Sequence, residues 1–173
     1  MPSLSRTSHM RIGTAGWSLT KEVAADFPGA DRHLQRYARV LDCAEINSSF
    51  HRSHRVETYE RWAASTPSAF RFAVKLPRSI THDARLCRVR EPLRRFLDEA
   101  AGLGERLAVL LVQLPPSFAF ELRPVRLFFR TLCESFNGCR LRTSARQLVR
   151  ASGRPRAVGA SRRPRCRQSG SLS

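Results

Sequence analysis

A carboxylate, an amine, an imidazole and two amides stand out in this sequence as Glu45, Lys75, His82, Asn47 and Gln113. Glu45 and Lys75 are the pair of most chemical interest. Burial pushes a lysine toward its neutral form and a glutamate toward protonation, so either becomes a candidate catalytic acid or base. The competing reading is an ion pair in which each charge satisfies the other, since structural pairs also perturb titration. His82 closes the run Lys75-Leu76-Pro77-Arg78-Ser79-Ile80-Thr81-His82. It suits an assisting acid/base or phosphate-donor role, or a plain loop hydrogen bond. Asn47 and Gln113 are candidate ligand-orienting amides, and Arg78 is a candidate anion clamp.

The segment Gly13-Thr14-Ala15-Gly16-Trp17 is a second candidate for ligand binding. Its glycines either let backbone N–H groups cradle an anion or permit a tight turn. It is not a dinucleotide fingerprint, because the third glycine and a helix opening from the turn are missing. Trp17 either stacks on a ligand ring or plugs the end of the fold. His51 and His54 offer two metal ligands and nothing supplies a third, so no metal site is assigned. Ser48 and Ser49 stand near His51, but no aspartate-oriented triad can be read. No cofactor can be named.

These groups must be positioned by the elements around them. Met10 to Ala15 reads as a short strand closed by Gly16, and Cys43 to Asn47 as a second. Phe70 to Leu76 is a third, with Phe70, Phe72, Val74 and Leu76 on one side. Leu107 to Leu114 is a near-continuous apolar run, the signature of a strand buried on both faces. Between them lie amphipathic stretches. Asp31 is placed to cap a helix bearing Leu34, Tyr37, Ala38 and Leu41. Val56, Tyr59, Trp62 and Ala63 mark the next, stopped by Thr66-Pro67. Pro92 suits the first turn of a third, with Leu93, Phe96, Leu97 and Ala100 on one face, broken at Gly102 and Gly104. Val125, Phe128, Phe129, Leu132 and Phe136 line a last helix.

The resulting order, β-α four times over, predicts an α/β fold: a partial TIM-type (β/α) barrel of about four parallel βα units. In such sheets ligands collect at the carboxyl ends of the strands. Side chains alternate along a strand, so if Ala44, Ile46, Phe72 and Val74 face the helices, Glu45, Asn47 and Lys75 face the other way. Gln113 shares parity with Val109 and Leu111. A carboxylate, an ammonium and an amide thus converge on one mouth beside the Gly13–Trp17 turn, with Glu45 and Lys75 on strands near enough to touch. The first and fourth strands would keep open edges, which invites self-association.

Composition bounds what surrounds this unit. The 173 residues carry 31 Lys+Arg against 14 Asp+Glu, a formal charge of +17. Ten of the arginines and none of the acids lie in residues 139–173, which therefore contribute +10. That segment holds few large aliphatics and no aromatic, so a disordered basic tail is expected after a half-barrel over 10–138 and a disordered leader over 1–9. Two readings of the tail compete. One is a basic arm for nonspecific nucleic-acid binding through phosphate neutralisation. The other is out-of-frame translation of a GC-rich gene, consistent with only two lysines among the basic residues and an abrupt change near Asn137-Gly138. The longest apolar run, Leu107 to Val112, is far short of a bilayer span, and no secretory signal opens the chain, so no membrane partner and a cytoplasmic location are expected. Five cysteines with no C-x-x-C pair fit reduced thiols.

Four segments in order carry a resemblance: Met10-Arg-Ile-Gly-Thr-Ala-Gly-Trp-Ser18, Glu45-Ile-Asn-Ser-Ser-Phe-His-Arg52, Phe70-Arg-Phe-Ala-Val-Lys-Leu-Pro-Arg-Ser-Ile-Thr-His82 and Leu111-Val-Gln-Leu-Pro-Pro-Ser-Phe118. Together they resemble the YecE-like family, domain of unknown function 72, over roughly residues 10–136. The resemblance implies a TIM-barrel-like fold and no established activity. It also implies that Gly13, Gly16, Trp17, Glu45, Asn47, Lys75, His82 and Gln113 occupy the family's recurrent glycine and polar positions. Phe50-His51 stands where members usually show Phe-Tyr, and the family's later strands have no counterpart here. Two function classes follow. One is a barrel-type enzyme or enzyme relic for a small polar or anionic molecule, with Glu45, Lys75 and His82 as catalytic groups and Gly13, Thr14, Gly16, Trp17, Asn47 and Gln113 as ligand contacts. The other is a nucleic-acid-binding protein acting through its tail.

Overall fold

Four strands alternate with four helices in the computed structural model, which describes residues 10–135. The leader over 1–9 and the basic tail over 139–173 lie outside the described residues. In chain order the elements are β1 (Gly13–Ala15), α1 (His33–Tyr37), β2 (Cys43–Ile46), α2 (Val56–Ala64), β3 (Arg71–Lys75), α3 (Arg90–Ala100), β4 (Leu107–Leu111) and α4 (Leu122–Ser135). The strands form one sheet in the order β1-β2-β3-β4, every neighbouring pair parallel. This is the α/β arrangement expected from the sequence, half of a (β/α) barrel built from four consecutive units.

Alternation within the strands decides where the core sits. Ala44, Ile46, Phe72 and Val74 are buried, while Cys43, Glu45, Arg71, Ala73 and Lys75 keep part of their surface. The buried set meets the inward stripes of the helices: Leu34 and Tyr37 of α1, Tyr59 and Ala63 of α2, Leu93, Phe96 and Leu97 of α3, and Phe128 and Leu132 of α4. Each fully buried side chain of this size contributes about 1.5–3 kcal/mol by leaving water. The helices therefore cover one face of the sheet, and the face that would line a closed barrel is left open among the described residues.

Three expectations change. The apolar run of β4 is not buried on both faces: Val109 is 41% exposed. The run reports hydrophobicity but not coverage, and β4 is an edge strand whose second face nothing packs on among the described residues. The cap of α1 is Arg32 and not Asp31. The Arg32 backbone N–H donates to the Gln35 side-chain oxygen at 3.3 Å, whereas the Asp31 carboxylate pairs with Arg39. The cysteines divide, with free thiols at Cys43 and Cys133 and a disulfide at Cys87.

Candidate functional site

The register of β2 on β3 places the two principal charges. Glu45 pairs with Ala73, and Lys75 lies two residues further along β3, opposite Leu111 of β4. Both side chains thus rise from the open face, as alternation predicts. They are diagonal rather than directly opposite, which separates their Cα atoms by about 8 Å given the spacing between strands and the rise along them. Among the described residues no ion pair joins them. The Lys75 ammonium instead stands over the ring of Phe50, its Nζ 4.4 Å from the centroid.

Phe50 organises this lip. It ends a short 3₁₀ turn, Ser48–Phe50, that follows β2. Fully buried Ser49 holds the turn down, its hydroxyl lying 2.8 Å from the Ile46 carbonyl and 2.6 Å from that of Lys75. The β2 loop is thereby fastened to the end of β3. His82 meets the Phe50 ring edge-on at 5.0 Å, and His51 approaches it at the same distance. The sequence marks Phe50 only within the Phe50-His51 departure from the family pattern and gives it no role at the lip. The signal was its position in the loop directly after the strand that carries Glu45.

His82 lies on a π-helical turn, Ser79–Asp83. Its Nδ1 is 2.9 Å from the Thr81 hydroxyl, and that hydroxyl donates to the Pro77 carbonyl at 3.2 Å. The single hydroxyl proton being used there, Nδ1–H of His82 is assigned as the donor to Thr81, which leaves Nε2 as the basic nitrogen of the neutral ring. Partial burial lowers the imidazole's pKa below its ordinary value. Arg78 and Lys75 lower it further, and Asp83 opposes them. Arg78 pairs with Asp83 at 3.2 Å on the surface, so its guanidinium already has a carboxylate partner.

The remaining candidates separate. Asn47 begins the 3₁₀ turn, and its side-chain Oδ1 is buried with no hydrogen-bond partner. Gln113 is exposed two residues beyond β4. Thr14 pairs in register with Ala44, whose side chain faces the helices, and its hydroxyl bonds Tyr37 Oη at 3.0 Å and the Gly16 carbonyl at 2.7 Å. Trp17 packs edge-on against Trp62 of α2 and against Phe72. These two expected ligand contacts therefore belong to the helix-covered side, because β1 follows the same alternation as its neighbours. Gly13 and Gly16 each have a backbone reason for being glycine. A Cβ at Gly13 would overlap the Cys43 carbonyl, and Gly16 has φ +83° while its N–H donates to the Glu45 carbonyl at 2.8 Å.

His54 packs among its own neighbours, and no group of three metal-ligating side chains occurs among the described residues. Its ring packs on Tyr59 and Trp62, and its Nε2 lies 2.8 Å from the Ser48 hydroxyl. Partial burial lowers its pKa, with Arg52 adding to the effect and Glu99 opposing it. Two surface grooves lie between helices, one between α2 and α3 beside Arg55 and Glu99, the other between α3 and α4 beside Arg94 and Thr131.

Known proteins share this arrangement of strands and helices. The family described as "Protein of unknown function DUF72" matches residues 11–157. The UPF0759 protein YecE of Escherichia coli, in strains K12 and O157:H7, is 32% identical over 127 residues, which cover 73% of this chain and 45% of the relative. A crystal structure of a DUF72 family protein from Thermotoga maritima MSB8 superposes with a TM-score of 0.56 at 27% identity, covering 75% of this chain and 53% of that one. A DUF72 family protein from Enterococcus faecalis V583 gives a TM-score of 0.60 at 22% identity, covering 74% and 47%. The chain thus spans about half the length of the relatives it matches. No helix among the described residues is long and apolar enough to cross a membrane.

Proposed function

The chain belongs to the family described as "Protein of unknown function DUF72", and from that premise we propose that its barrel lip binds a small polar, anionic molecule at the carboxyl ends of β2 and β3. One observation carries the reading. The Lys75 ammonium is held on the face of Phe50, next to His82, with no carboxylate within ion-pairing distance among the described residues. A cation kept in place by an aromatic ring, and not neutralised by a protein acid, is suited to receive an anion from solution.

The neighbouring groups supply the rest of the site. Asn47 Oδ1 is a buried acceptor without a protein donor, so a ligand hydroxyl or amide N–H would satisfy it. Burial and the Arg78 charge lower the His82 pKa from its ordinary value, which favours the neutral ring as a base, while Glu45 places a carboxylate on the same face of the sheet. Proton transfer on the bound molecule by His82, with Lys75 stabilising the negative charge, is the chemistry these groups suit. Gly16 shapes the turn beside them. Thr14 and Trp17 are left out because their side chains serve the helix layer.

Titration of the full chain with inorganic phosphate by calorimetry in 150 mM salt tests the reading. Removal of a charge-assisted contact costs about 1.5–3 kcal/mol, so Lys75→Met is expected to weaken phosphate binding by roughly 10- to 150-fold. Equal affinity in Lys75→Met and the unmodified chain would overturn it. A second reading, nonspecific nucleic-acid binding, is favoured by the concentration of ten arginines without an acid in residues 139–173. It calls for an affinity that falls steeply with salt and survives Lys75→Met unchanged.

A further inference from the structure

Ser48 and His54 meet in the loop that joins β2 to α2, where the serine hydroxyl lies 2.8 Å from Nε2 of the imidazole. Ser48 opens the 3₁₀ turn after β2 and is exposed among the described residues, whereas His54 is half-buried. The hydroxyl makes no other hydrogen bond among the described residues. Its proton is therefore assigned to the bond with Nε2, which leaves the ring's own proton on Nδ1. Two aromatic residues of α2 hold the imidazole in this orientation, Trp62 edge-on at 5.0 Å and Tyr59 at 5.8 Å. A solvent-facing hydroxyl thus rests on a basic nitrogen whose ring is fixed from behind.

The charges around the ring suit a proton acceptor. Burial and the Arg52 charge favour neutral His54, the form that can take a proton, while the Glu99 charge on α3 favours the protonated ring. Glu99 Oε1 pairs with Arg95 at 3.2 Å, and its Oε2 is buried with no hydrogen-bond partner. Burial and the same carboxylate raise the pKa of Tyr59, so the phenol faces the ring as a neutral group.

We propose that Ser48 is a nucleophile activated by His54, and that the pair hydrolyses carboxylic esters through an acyl-serine. Oγ of Ser48 attacks the ester carbonyl carbon as its proton passes to Nε2. The adduct collapses, the bond to the leaving alcohol breaks, and that alcohol takes the proton from Nε2. Water then attacks the acyl carbon while giving a proton to Nε2. The bond to Oγ breaks, and Ser48 recovers its proton. The sum is ester and water to acid and alcohol. The imidazolium formed in each half is the species that the Glu99 charge stabilises. Lys75 and His82 take no part, so this activity goes beyond the anion-binding reading, and either can fail without the other.

A fluorophosphonate probe, whose phosphorus an activated serine attacks with loss of fluoride, tests the nucleophile on the full chain. Peptide mass spectrometry is expected to find the label on Ser48. Labelling should vanish in Ser48→Ala and persist in Ser53→Ala, a change at an exposed serine of the same loop. General-base assistance is worth about 10²- to 10⁴-fold, so His54→Gln should slow both labelling and p-nitrophenyl acetate hydrolysis by about 10²-fold or more. The pH profile of the unmodified chain needs no variant: the labelling rate should rise through an inflection below 6.5, the ordinary imidazole value. A merely structural bond between the two side chains gives no such inflection. Label spread over several serines, Ser48 labelled equally fast in His54→Gln, a profile without the inflection, or ester hydrolysis unchanged in Ser48→Ala would each overturn the proposal.

Discussion

Lys75 and Phe50 form the central contact of the strand lip: the ammonium stands 4.4 Å above the ring of a residue 25 positions earlier in the chain. The contact exists because two backbone features coincide. Lys75 ends β3, and Phe50 ends the 3₁₀ turn that Ser49 fastens to the Lys75 carbonyl. Phe50 thereby does for Lys75 what Glu45, displaced diagonally along the sheet, does not.

That relationship predicts the behaviour of Phe50→Leu. The substitution keeps most of the apolar bulk and removes the ring face, so the lost cation–π attraction is about 0.5–2 kcal/mol. Urea denaturation should show a loss of that size. The Lys75 side-chain methylene protons should lose their upfield ring-current shift in NMR spectra. An unchanged lysine spectrum would show that the amine does not rest on this ring in solution.

The two partly buried imidazoles predict how stability varies with pH. His82 and His54 both have pKa values lowered from the ordinary 6.5, in each case first by burial and then by a neighbouring arginine, Arg78 or Arg52. The folded chain therefore binds fewer protons than the unfolded chain just below pH 6.5. Their contribution is fully present above that pH and is lost as pH falls toward the lowered folded values. The urea midpoint should accordingly drop between pH 7.5 and pH 5. His54→Gln and His82→Gln should each make that drop shallower. Stability rising over the same interval in the unmodified chain, and falling in the variants, would contradict the assignment.

Much of this arrangement is legible in the amino-acid sequence. The alternation of Phe70, Phe72, Val74 and Leu76 identifies β3 and its covered face, and the same parity puts Glu45 and Lys75 together on the other. The placement of Thr14 obeys the same rule once parity is carried to β1, where Thr14 lies opposite Ala44. Other features have no local signal. The π-helical turn that carries His82 is set by packing of Ile80 and Thr81, both buried, and by bonds to the Pro77 and Ser79 carbonyls. The exposure of Val109 depends on which faces of the sheet are covered, a property of the assembly and not of a hydrophobic run. The diagonal offset between Glu45 and Lys75 depends on register, which alternation alone does not specify.

Gly13 and Gly16 offer a last test, because both are candidates for an anion cradle and the backbone separates their reasons. An added methyl at Gly13 would overlap the Cys43 carbonyl, an immovable part of the neighbouring strand, so Gly13→Ala must push β1 away from β2. Such overpacking costs about 1–3 kcal/mol or more. At Gly16 nothing stands within 4 Å of the position an alanine methyl would take, and the cost comes only from φ +83°. A left-handed conformation at a residue with a Cβ costs about 1–2 kcal/mol. Urea denaturation should therefore rank Gly13→Ala as the more damaging change. Phosphate titration adds a second readout: if the Gly16 turn only directs the chain, Gly16→Ala binds phosphate as the unmodified protein does, whereas a drop in affinity at preserved stability would return this turn to the ligand site.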